Sequence, residues 1–251
     1  MIKYVKWFFK LFPTIIYLCH INNKFHKNPK KHSRLVRFNS YKKVAKKGIE
    51  KMNIDLYVEG ENHFPCEQSY LLTPNHQSMF DIVPIIHTHL DPIAFISKKS
   101  LKKAPIAGKG IKSIESLFLD REDLKSEIKI MKKMALSMRS ENLKWCIFPE
   151  GTRTKNSDLS LNEFKPGAFK FPQKEGVTII PVAIYGTHRL LDNKIHLKRY
   201  PIYISYLKPI LKEDYKDMST QELSLYVRDS IQTKIDEFKK IDEEILKKQK
   251  K

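Results

Sequence analysis

The segment from Asn75 to Asp81 carries the residue types best suited to chemistry, because a histidine and an aspartate stand five positions apart in it. It follows a predicted strand that ends at Pro74, and sites in sheets of this kind gather beyond the carboxyl ends of strands. On one continuous helix, residues five apart point about 140° away from each other and do not pair. A helix that begins at Ser78 as its N-cap would instead place Asp81 at the third helical position, where its carboxylate reaches backward to His76.

The His76–Asp81 pair predicts a general base. A carboxylate bound to one ring nitrogen fixes the histidine tautomer and leaves the other nitrogen to accept a proton. The sequence has no Gly-x-Ser-x-Gly nucleophile elbow, so we expect the pair to activate an external hydroxyl group rather than a serine of the chain. The alternative interpretation of this motif alone is a histidine that tethers a loop, with Asp81 as a helix cap.

Two further segments place an arginine after an apolar run. Residues 148–153 read Phe-Pro-Glu-Gly-Thr-Arg, in which glycine lets the backbone approach a ligand and the planar guanidinium of Arg153 suits a phosphate. Residues 118–121 end in Arg121. Taken alone, the first segment reads equally well as a turn with a surface arginine, and the second is a weak signal. The apolar residues 180–184 alone indicate only a buried strand.

Strands and helices alternate from residue 54 to residue 246, which indicates an α/β domain with a mixed, largely parallel sheet flanked by helices. Hydrophobic periodicity predicts strands at 54–59, 70–73, 93–97, 145–148, 177–184 and 202–207 and helices at 84–90, 124–139 and 167–175, with a further apolar segment near 117–119. A capping-box pattern at Ser219 and Glu222 opens a long C-terminal helix. Pro181 predicts an edge or strand-end position within the strand 177–184.

The net charge of +19 indicates anionic partners, and its distribution narrows the choice. Residues 1–51 hold 14 Lys or Arg against one acid, whereas residues 52–251 hold 33 against 27. A basic stretch beside an apolar segment suits an anionic membrane surface better than a nucleic acid. We therefore divide the chain into basic, amphipathic and apolar membrane-associating helices at 1–51 and the α/β domain at 52–251.

The N-terminal apolar stretch is short for a membrane span. Its longest run without a charged residue, 11–23, has 13 residues, whereas a spanning helix needs about 20. No small-residue cleavage site follows it, so a removed signal peptide is not expected. We expect a monotopic or peripheral anchor at the cytoplasmic face of the cell membrane. A short tilted span and a helix packed on the protein's own core are the alternatives.

Cysteine and histidine spacing indicates neither a disulfide framework nor a metal site. The three cysteines are far apart and odd in number, which favours a reducing compartment: Cys19, Cys66 and Cys146. His87 and His89 are typical of helix-surface or loop histidines. We expect no metal and no cofactor.

Taken together and in this order, the blocks resemble the PlsC-type glycerophospholipid acyltransferases, the lysophosphatidate (1-acylglycerol-3-phosphate) acyltransferase family. That family shows N-H-x4-D, then G-x-x-F-x-x-R, then F-P-E-G-T-R and an apolar V-P-V block, which resemble residues 75–81, 118–121, 148–153 and 180–182 here. Residues 164–170 also resemble the family's F-K-x-G-A-F, so the resemblance spans roughly 55–210. The family's glycine in the second block is Glu115 here, a departure that bears on acceptor recognition near Arg121.

The resemblance implies that His76 is the general base and that Asp81 orients it. The acceptor oxygen would attack an acyl thioester directly, without an acyl-enzyme, and N–H groups at the start of the Ser78 helix would stabilise the oxyanion. The residues implied to hold the acceptor's glycerol phosphate are Arg121, Glu150, Gly151, Thr152 and Arg153.

The implied reaction moves a fatty acyl group from acyl-CoA or an acyl carrier protein to the sn-2 hydroxyl of 1-acylglycerol 3-phosphate, giving phosphatidate in phospholipid biosynthesis. The implied partners are lysophosphatidate, the acyl donor and an anionic membrane surface, and no nucleic acid. Three alternatives stay open. The acceptor could be glycerol 3-phosphate, another lysophospholipid or an amine-bearing lipid, the same pair could hydrolyse the donor with water, or the chain could be a non-catalytic basic protein that binds a membrane or a nucleic acid.

Overall fold

A seven-stranded sheet forms the centre of the molecule. The computed structural model describes residues 2–65, 68–120, 122–154, 156 and 158–249. Within them the strands are β1 Ile54–Glu59, β2 Tyr70–Pro74, β3 Ile93–Lys98, β4 Leu117–Leu119, β5 Lys144–Cys146, β6 Thr178–Tyr185 and β7 Tyr200–Tyr206. Their order is β1-β7-β6-β2-β5-β3-β4, and every pair is parallel except β6–β7. The predicted mixed, largely parallel α/β class is confirmed.

Helices cover the sheet and connect most of its strands. They are α1 Ile2–Phe25, α2 Arg34–Lys51, α3 Ile82–Thr88, α4 Ala107–Ser113, α5 Leu124–Glu141, α6 Gly167–Glu175, α7 Lys212–Tyr215 and α8 Thr220–Gln249. The predicted capping box before α8 is confirmed, because the Ser219 N–H donates to Glu222 Oε2 (2.7 Å) and the Glu222 N–H donates to Ser219 Oγ (3.2 Å).

Different helices cover the two faces of the sheet. Successive side chains of a strand point to opposite faces and therefore pack against different helices. Leu72 of β2 faces the layer of α1, α2 and α3, where it joins Phe38 and Ile85. Leu71 faces the layer of α5 and α6. Helix α8 packs on the same side as α5, through Ile231 and its neighbours against β6 and β7. Burial on both faces explains why the strands read as nearly continuous apolar runs.

The N-terminal helices pack on the α/β body through one side. Ile21 and Phe25 of α1 join the same buried cluster as the sheet. The Tyr41 hydroxyl of α2 donates to Asn22 Oδ1 (2.7 Å), and Asn22 Nδ2 donates to the carbonyl of Ile106 (3.0 Å). Among the helices of the described ranges, none combines the length and the apolar character needed to cross a membrane.

The predicted edge or strand-end position of Pro181 is wrong, because this proline lies inside β6 between β2 and β7. It pairs with Thr73 of β2 on one side. On the other side the ladder with β7 starts only at Val182, and Ile179 pairs with Ile210 beyond it. Pro181 therefore falls in a gap of the β7 ladder, where its carbonyl accepts the Leu207 N–H (2.9 Å) and no ladder partner stands opposite its missing N–H.

Glu115, which stands where the motif that residues 118–121 resemble has a glycine, has a left-handed backbone (φ +59°) between α4 and β4. Glycine adopts this conformation without steric cost, whereas another residue needs a compensating interaction. The Glu115 carboxylate forms ion pairs with Arg34 and, at 3.2 Å, with Arg37, both on α2. These ion pairs tie α2 to the strand that precedes the Arg121 segment.

We expect Glu115→Ala to be less stable than Glu115→Gly by about 1 kcal/mol. Both substitutions remove the ion pairs, but only alanine keeps the left-handed strain. Denaturant unfolding of the two variants measures the difference. Alanine and glycine substitutions at exposed Lys112 in α4 are the control. There the alanine variant should be the more stable of the two, because alanine favours a helix. An alanine variant at position 115 as stable as the glycine variant contradicts this account.

Candidate active site

The candidate site lies where the carboxyl ends of three adjacent parallel strands meet. The His76 segment follows β2, the segment 148–153 follows β5, and Gly186 and Thr187 follow β6. Asn75 joins the first to the third: its Nδ2 donates to the carbonyl of Ile184 (3.0 Å), and the Ile184 N–H donates to its Oδ1 (2.7 Å). The sheet thus brings together segments more than 100 residues apart in the sequence.

His76 and Asp81 pair, as the sequence predicts. The Nδ1–H of His76 donates to Asp81 Oδ2 (2.7 Å), and the Asp81 side chain is fully buried. Because Nδ1 is bound to the carboxylate, Nε2 is the nitrogen that can accept a proton. The His76 side chain is 22% exposed, and its ring lies 4.4 Å from that of Phe148. The pair therefore combines a buried carboxylate with a base that a substrate can reach.

The predicted N-cap at Ser78 is wrong, because α3 begins only at Ile82 and Asp81 is the residue before it. Asp81 Oδ2 accepts the backbone N–H groups of Gln77 (2.8 Å) and Ser78 (2.9 Å), which close a tight turn. The carboxylate reaches backward as expected, but across this turn. The N–H groups of Gln77 and Ser78 therefore bind Asp81. Because no helix begins at Ser78, the structure does not provide the helix N-terminus that was predicted to stabilise the oxyanion.

The carboxylate of Glu150 binds the backbone of His76. Its Oε1 accepts the His76 N–H (2.6 Å) and its Oε2 accepts the Asn162 N–H (3.1 Å). The Thr154 N–H donates to the carbonyl of His76 (2.8 Å). Burial raises the pKa of Glu150, although the two N–H donors oppose this shift. With both oxygens bound and the side chain buried, the position of Glu150 indicates that it holds His76 rather than the acceptor.

The rest of the second motif lies at the surface beside the pair. Gly151 has a left-handed backbone (φ +70°), and its N–H donates to the carbonyl of Phe148 (3.0 Å). Thr152 and Arg153 are exposed, and Arg153 immediately precedes the Thr154 that binds the His76 carbonyl. Arg121 lies outside the described residues.

Thr187 belongs to the site, although the sequence alone did not single it out. Its buried hydroxyl donates to Asp81 Oδ1, the carboxylate oxygen that His76 leaves free. The Gly186 N–H donates to Gln77 Oε1 (3.1 Å), which joins the two segments a second time. Arg189 holds this segment in place by donating to Asp242 of α8 (2.8 Å). A Gly-Thr pair directly after a buried strand was the available signal.

No group of three or more potential metal ligands occurs among the described residues. His89 is buried, and its Nδ1–H donates to the carbonyl of Asp91 (2.7 Å) while Nε2 accepts from the Tyr70 hydroxyl (2.8 Å). Burial lowers the pKa of His89 to about 4, which keeps the ring neutral. His89 is therefore a hydrogen-bonded core residue.

The sequence of the chain matches a known protein family and several of its named members. The family model described as Acyltransferase matches residues 55–185, just over half of the chain. A 1-acyl-sn-glycerol-3-phosphate acyltransferase of Haemophilus influenzae is 34% identical over 176 residues, which cover 69% of this chain and 70% of that protein. The Saccharomyces cerevisiae protein of the same name is 30% identical over 181 residues, which cover 72% of this chain but 59% of the yeast protein.

A solved structure has the same fold. The crystal structure of the 1-acyl-sn-glycerophosphate (LPA) acyltransferase PlsC from Thermotoga maritima matches with a TM-score of 0.77 and 22% sequence identity. The match covers 94% of this chain and 96% of that chain. Because the family model matches more than half of its length, the chain belongs to the Acyltransferase family.

Proposed function

We propose that the protein is a 1-acylglycerol-3-phosphate O-acyltransferase. It transfers a fatty acyl group from the thioester of acyl-CoA or an acyl carrier protein to the sn-2 hydroxyl of 1-acylglycerol 3-phosphate, and the product is phosphatidate. The observation that carries the proposal is the buried Asp81 carboxylate bound to His76 Nδ1, which leaves Nε2 as a base at the surface. The names of the relatives at 30% and 34% identity support the choice of acceptor.

His76 Nε2 takes the proton of the acceptor hydroxyl while its oxygen forms a bond to the thioester carbonyl carbon. The carbon–sulfur bond then breaks, and the leaving thiolate receives the proton from the imidazolium. Asp81 stabilises the positive charge that His76 carries between these steps. General-base assistance of this kind contributes about 10²–10⁴ to the rate. The reaction needs no metal and no acyl-enzyme.

The acceptor phosphate binds beside the pair, at the exposed part of the second motif. Arg153 offers a planar guanidinium there, and Gly151 and Thr152 border it with a left-handed turn and a hydroxyl group. Arg121 is the second proposed phosphate ligand. Glu150 serves this site indirectly, since its carboxylate fixes the backbone of His76.

Thr187 is a positioning residue for the base. Asp81 is a buried charge, and such a charge is stable only when its oxygens are hydrogen-bonded. Oδ2 is bound by His76 and two backbone N–H groups, and Thr187 provides the bond to Oδ1. This hydroxyl restricts rotation of the carboxylate while its other oxygen binds the imidazole.

The membrane surface meets the protein at the outer face of α1. A row of apolar side chains at helical spacing is exposed there, with Phe9 at 72%, and comprises Val5, Phe8, Phe9, Phe12 and Ile16. The same helix packs inward through Trp7 against the cluster that Phe80 also contacts, one residue before Asp81. Basic residues of α1 and α2 each add about 1 kcal/mol at an anionic surface. The active site would thus lie at the cytoplasmic face of the cell membrane, at the depth of a lysophospholipid headgroup.

His76→Ala should lower phosphatidate formation at least about 100-fold, because the base is lost. The purified protein is supplied with acyl-CoA and lysophosphatidate in mixed micelles, and phosphatidate is measured by mass spectrometry. His196→Ala, at an exposed position, is the matched control and should keep full activity. A folded His76→Ala variant that retains activity contradicts the mechanism. A wild-type protein inactive with acyl-CoA and with acyl carrier protein contradicts the choice of acceptor, and a panel with glycerol 3-phosphate and other lysophospholipids then follows.

Thr187→Val should lower kcat by about tenfold or more with little change in the KM for lysophosphatidate, since a hydrogen bond to a charged group contributes about 1.5–3 kcal/mol. Thr187→Ser keeps the hydroxyl and should recover most of the activity. The same transfer assay measures both variants, with thermal unfolding as a check of the fold. A valine variant that keeps full activity, with the loss confined to the serine variant, would show that the methyl group, and not the hydrogen bond, matters.

Phe9→Glu combined with Phe12→Glu should weaken binding to phosphatidylglycerol-containing vesicles by at least about tenfold, since each buried phenylalanine contributes about 1.5–3 kcal/mol. Vesicle sedimentation measures this binding. Leu225→Glu combined with Tyr226→Glu changes two exposed apolar side chains of α8 and should leave binding unchanged. Equal losses in both double variants would mean that α1 is not the membrane-binding face.

A further inference from the structure

The outer face of α5 joins exposed apolar side chains to a cluster of lysines. Ile128 and Leu136 are 48% and 65% exposed on this face. A shallow surface groove runs along this helix, and its lining is Lys125, Ile128, Lys129, Lys132, Lys133 and Leu136. The spacing of three and four residues places all six on one side of the helix, over a length of about 16 Å.

This face carries four positive charges that the described parts of the chain do not neutralise. No carboxylate among the described residues lies within 4 Å of the four lysine ammonium groups. The acids of α5 itself are directed elsewhere: Glu141 pairs with Arg34, and Glu127 lies against Gly167 of α6. Like charges crowded on a helix destabilise it slightly, and an acidic partner would remove this cost.

The face is turned away from the proposed membrane. Helix α1 covers the side of the sheet that Leu72 faces, whereas α5 covers the side that Leu71 faces. A bilayer bound at α1 therefore leaves the outer face of α5 directed towards solution. This placement favours a soluble acidic protein over an anionic lipid surface as the partner.

The face is also connected to the active site. In the first turns of α5, the carboxylate of Glu127 lies close to Gly167. A Cβ atom at this glycine would be 3.5 Å from Glu127 Oε1. Just before Gly167, the Lys165 N–H donates to the carbonyl of Pro149 (3.0 Å), the residue preceding Glu150. A protein docked on α5 would therefore reach, at the first turns of the helix, the segment that leads to Pro149 and Glu150.

We infer that the outer face of α5 is the docking surface for an acidic carrier protein that presents the acyl group as a thioester on a flexible arm. The lysines pair with carboxylates of the carrier, and Ile128 and Leu136 form the apolar centre of the contact. This inference rests on the proposed acyl transfer and adds the route by which one of its two donors is recognised. Acyl-CoA does not need this surface, because it enters without a protein.

The test compares two donors on one variant. Lys129→Glu combined with Lys132→Glu should lower kcat/KM with acyl carrier protein by about tenfold or more, because opposed charges become like charges, while kcat/KM with acyl-CoA stays within about twofold. Lys247→Glu combined with Lys248→Glu, at the exposed end of α8, is the matched control and should change neither value. Leu136→Ala tests the apolar centre without a charge change and should also affect only the carrier-dependent reaction.

Three outcomes overturn the inference. Equal losses with both donors would place the lysines in the common chemistry, and loss of vesicle binding in the lysine variant would make this face a lipid contact. A wild-type protein active with acyl-CoA but inactive with acyl carrier protein would remove the carrier while the proposed function stands. A wild-type protein inactive with both donors would contradict the proposed function itself. This result is distinguishable from failure of the docking inference, because it appears in the wild-type protein without any variant.

Discussion

The site depends on one buried carboxylate. Asp81 is inaccessible to water, and a charge in that position is stable only if its oxygens are fully hydrogen-bonded. It receives bonds from His76, from the N–H groups of Gln77 and Ser78, and from the hydroxyl of Thr187. These partners come from two strand ends that are far apart in the sequence. Satisfying this one charge therefore fixes the histidine tautomer, the turn before α3 and the connection between β2 and β6.

A second buried carboxylate secures the same histidine from the opposite side. Glu150 fixes the N–H of His76, and Thr154 fixes its carbonyl, so the backbone of the base is held at both of its polar groups. Burial raises the pKa of Glu150, which means that its ionised form is held there at some cost. Structures tolerate such costs where a geometry must be kept, and the base here is held by its side chain and its backbone together.

The two sides of the sheet divide the remaining tasks. The layer of α1 to α3 exposes apolar residues of α1 and carries much of the N-terminal charge, which suits a lipid surface. The layer of α5, α6 and α8 exposes a basic and apolar face on α5, which suits a soluble acidic partner. The edge formed by the carboxyl ends of the strands lies between them. A lipid acceptor and a water-soluble donor could thus reach His76 from different sides.

The sequence alone determined the types of most elements, although not the short helices α4 and α7, and with them the α/β class, the capping box of α8 and the His76–Asp81 pair, because these depend on periodicity and on spacing within a few residues. It determined the family through four ordered blocks. Only the tertiary structure decided the rest: the gap in the β7 ladder that accommodates Pro181, the turn that replaces a helix at Ser78, and the bond from Thr187 to Asp81. The left-handed Glu115 likewise depends on Arg34 and Arg37, about 80 residues away. In each of these features, the order of the strands in the sheet or the packing of a helix on it brings residues within hydrogen-bonding distance. Local propensity depends on neighbouring residues in the sequence and therefore cannot predict that arrangement.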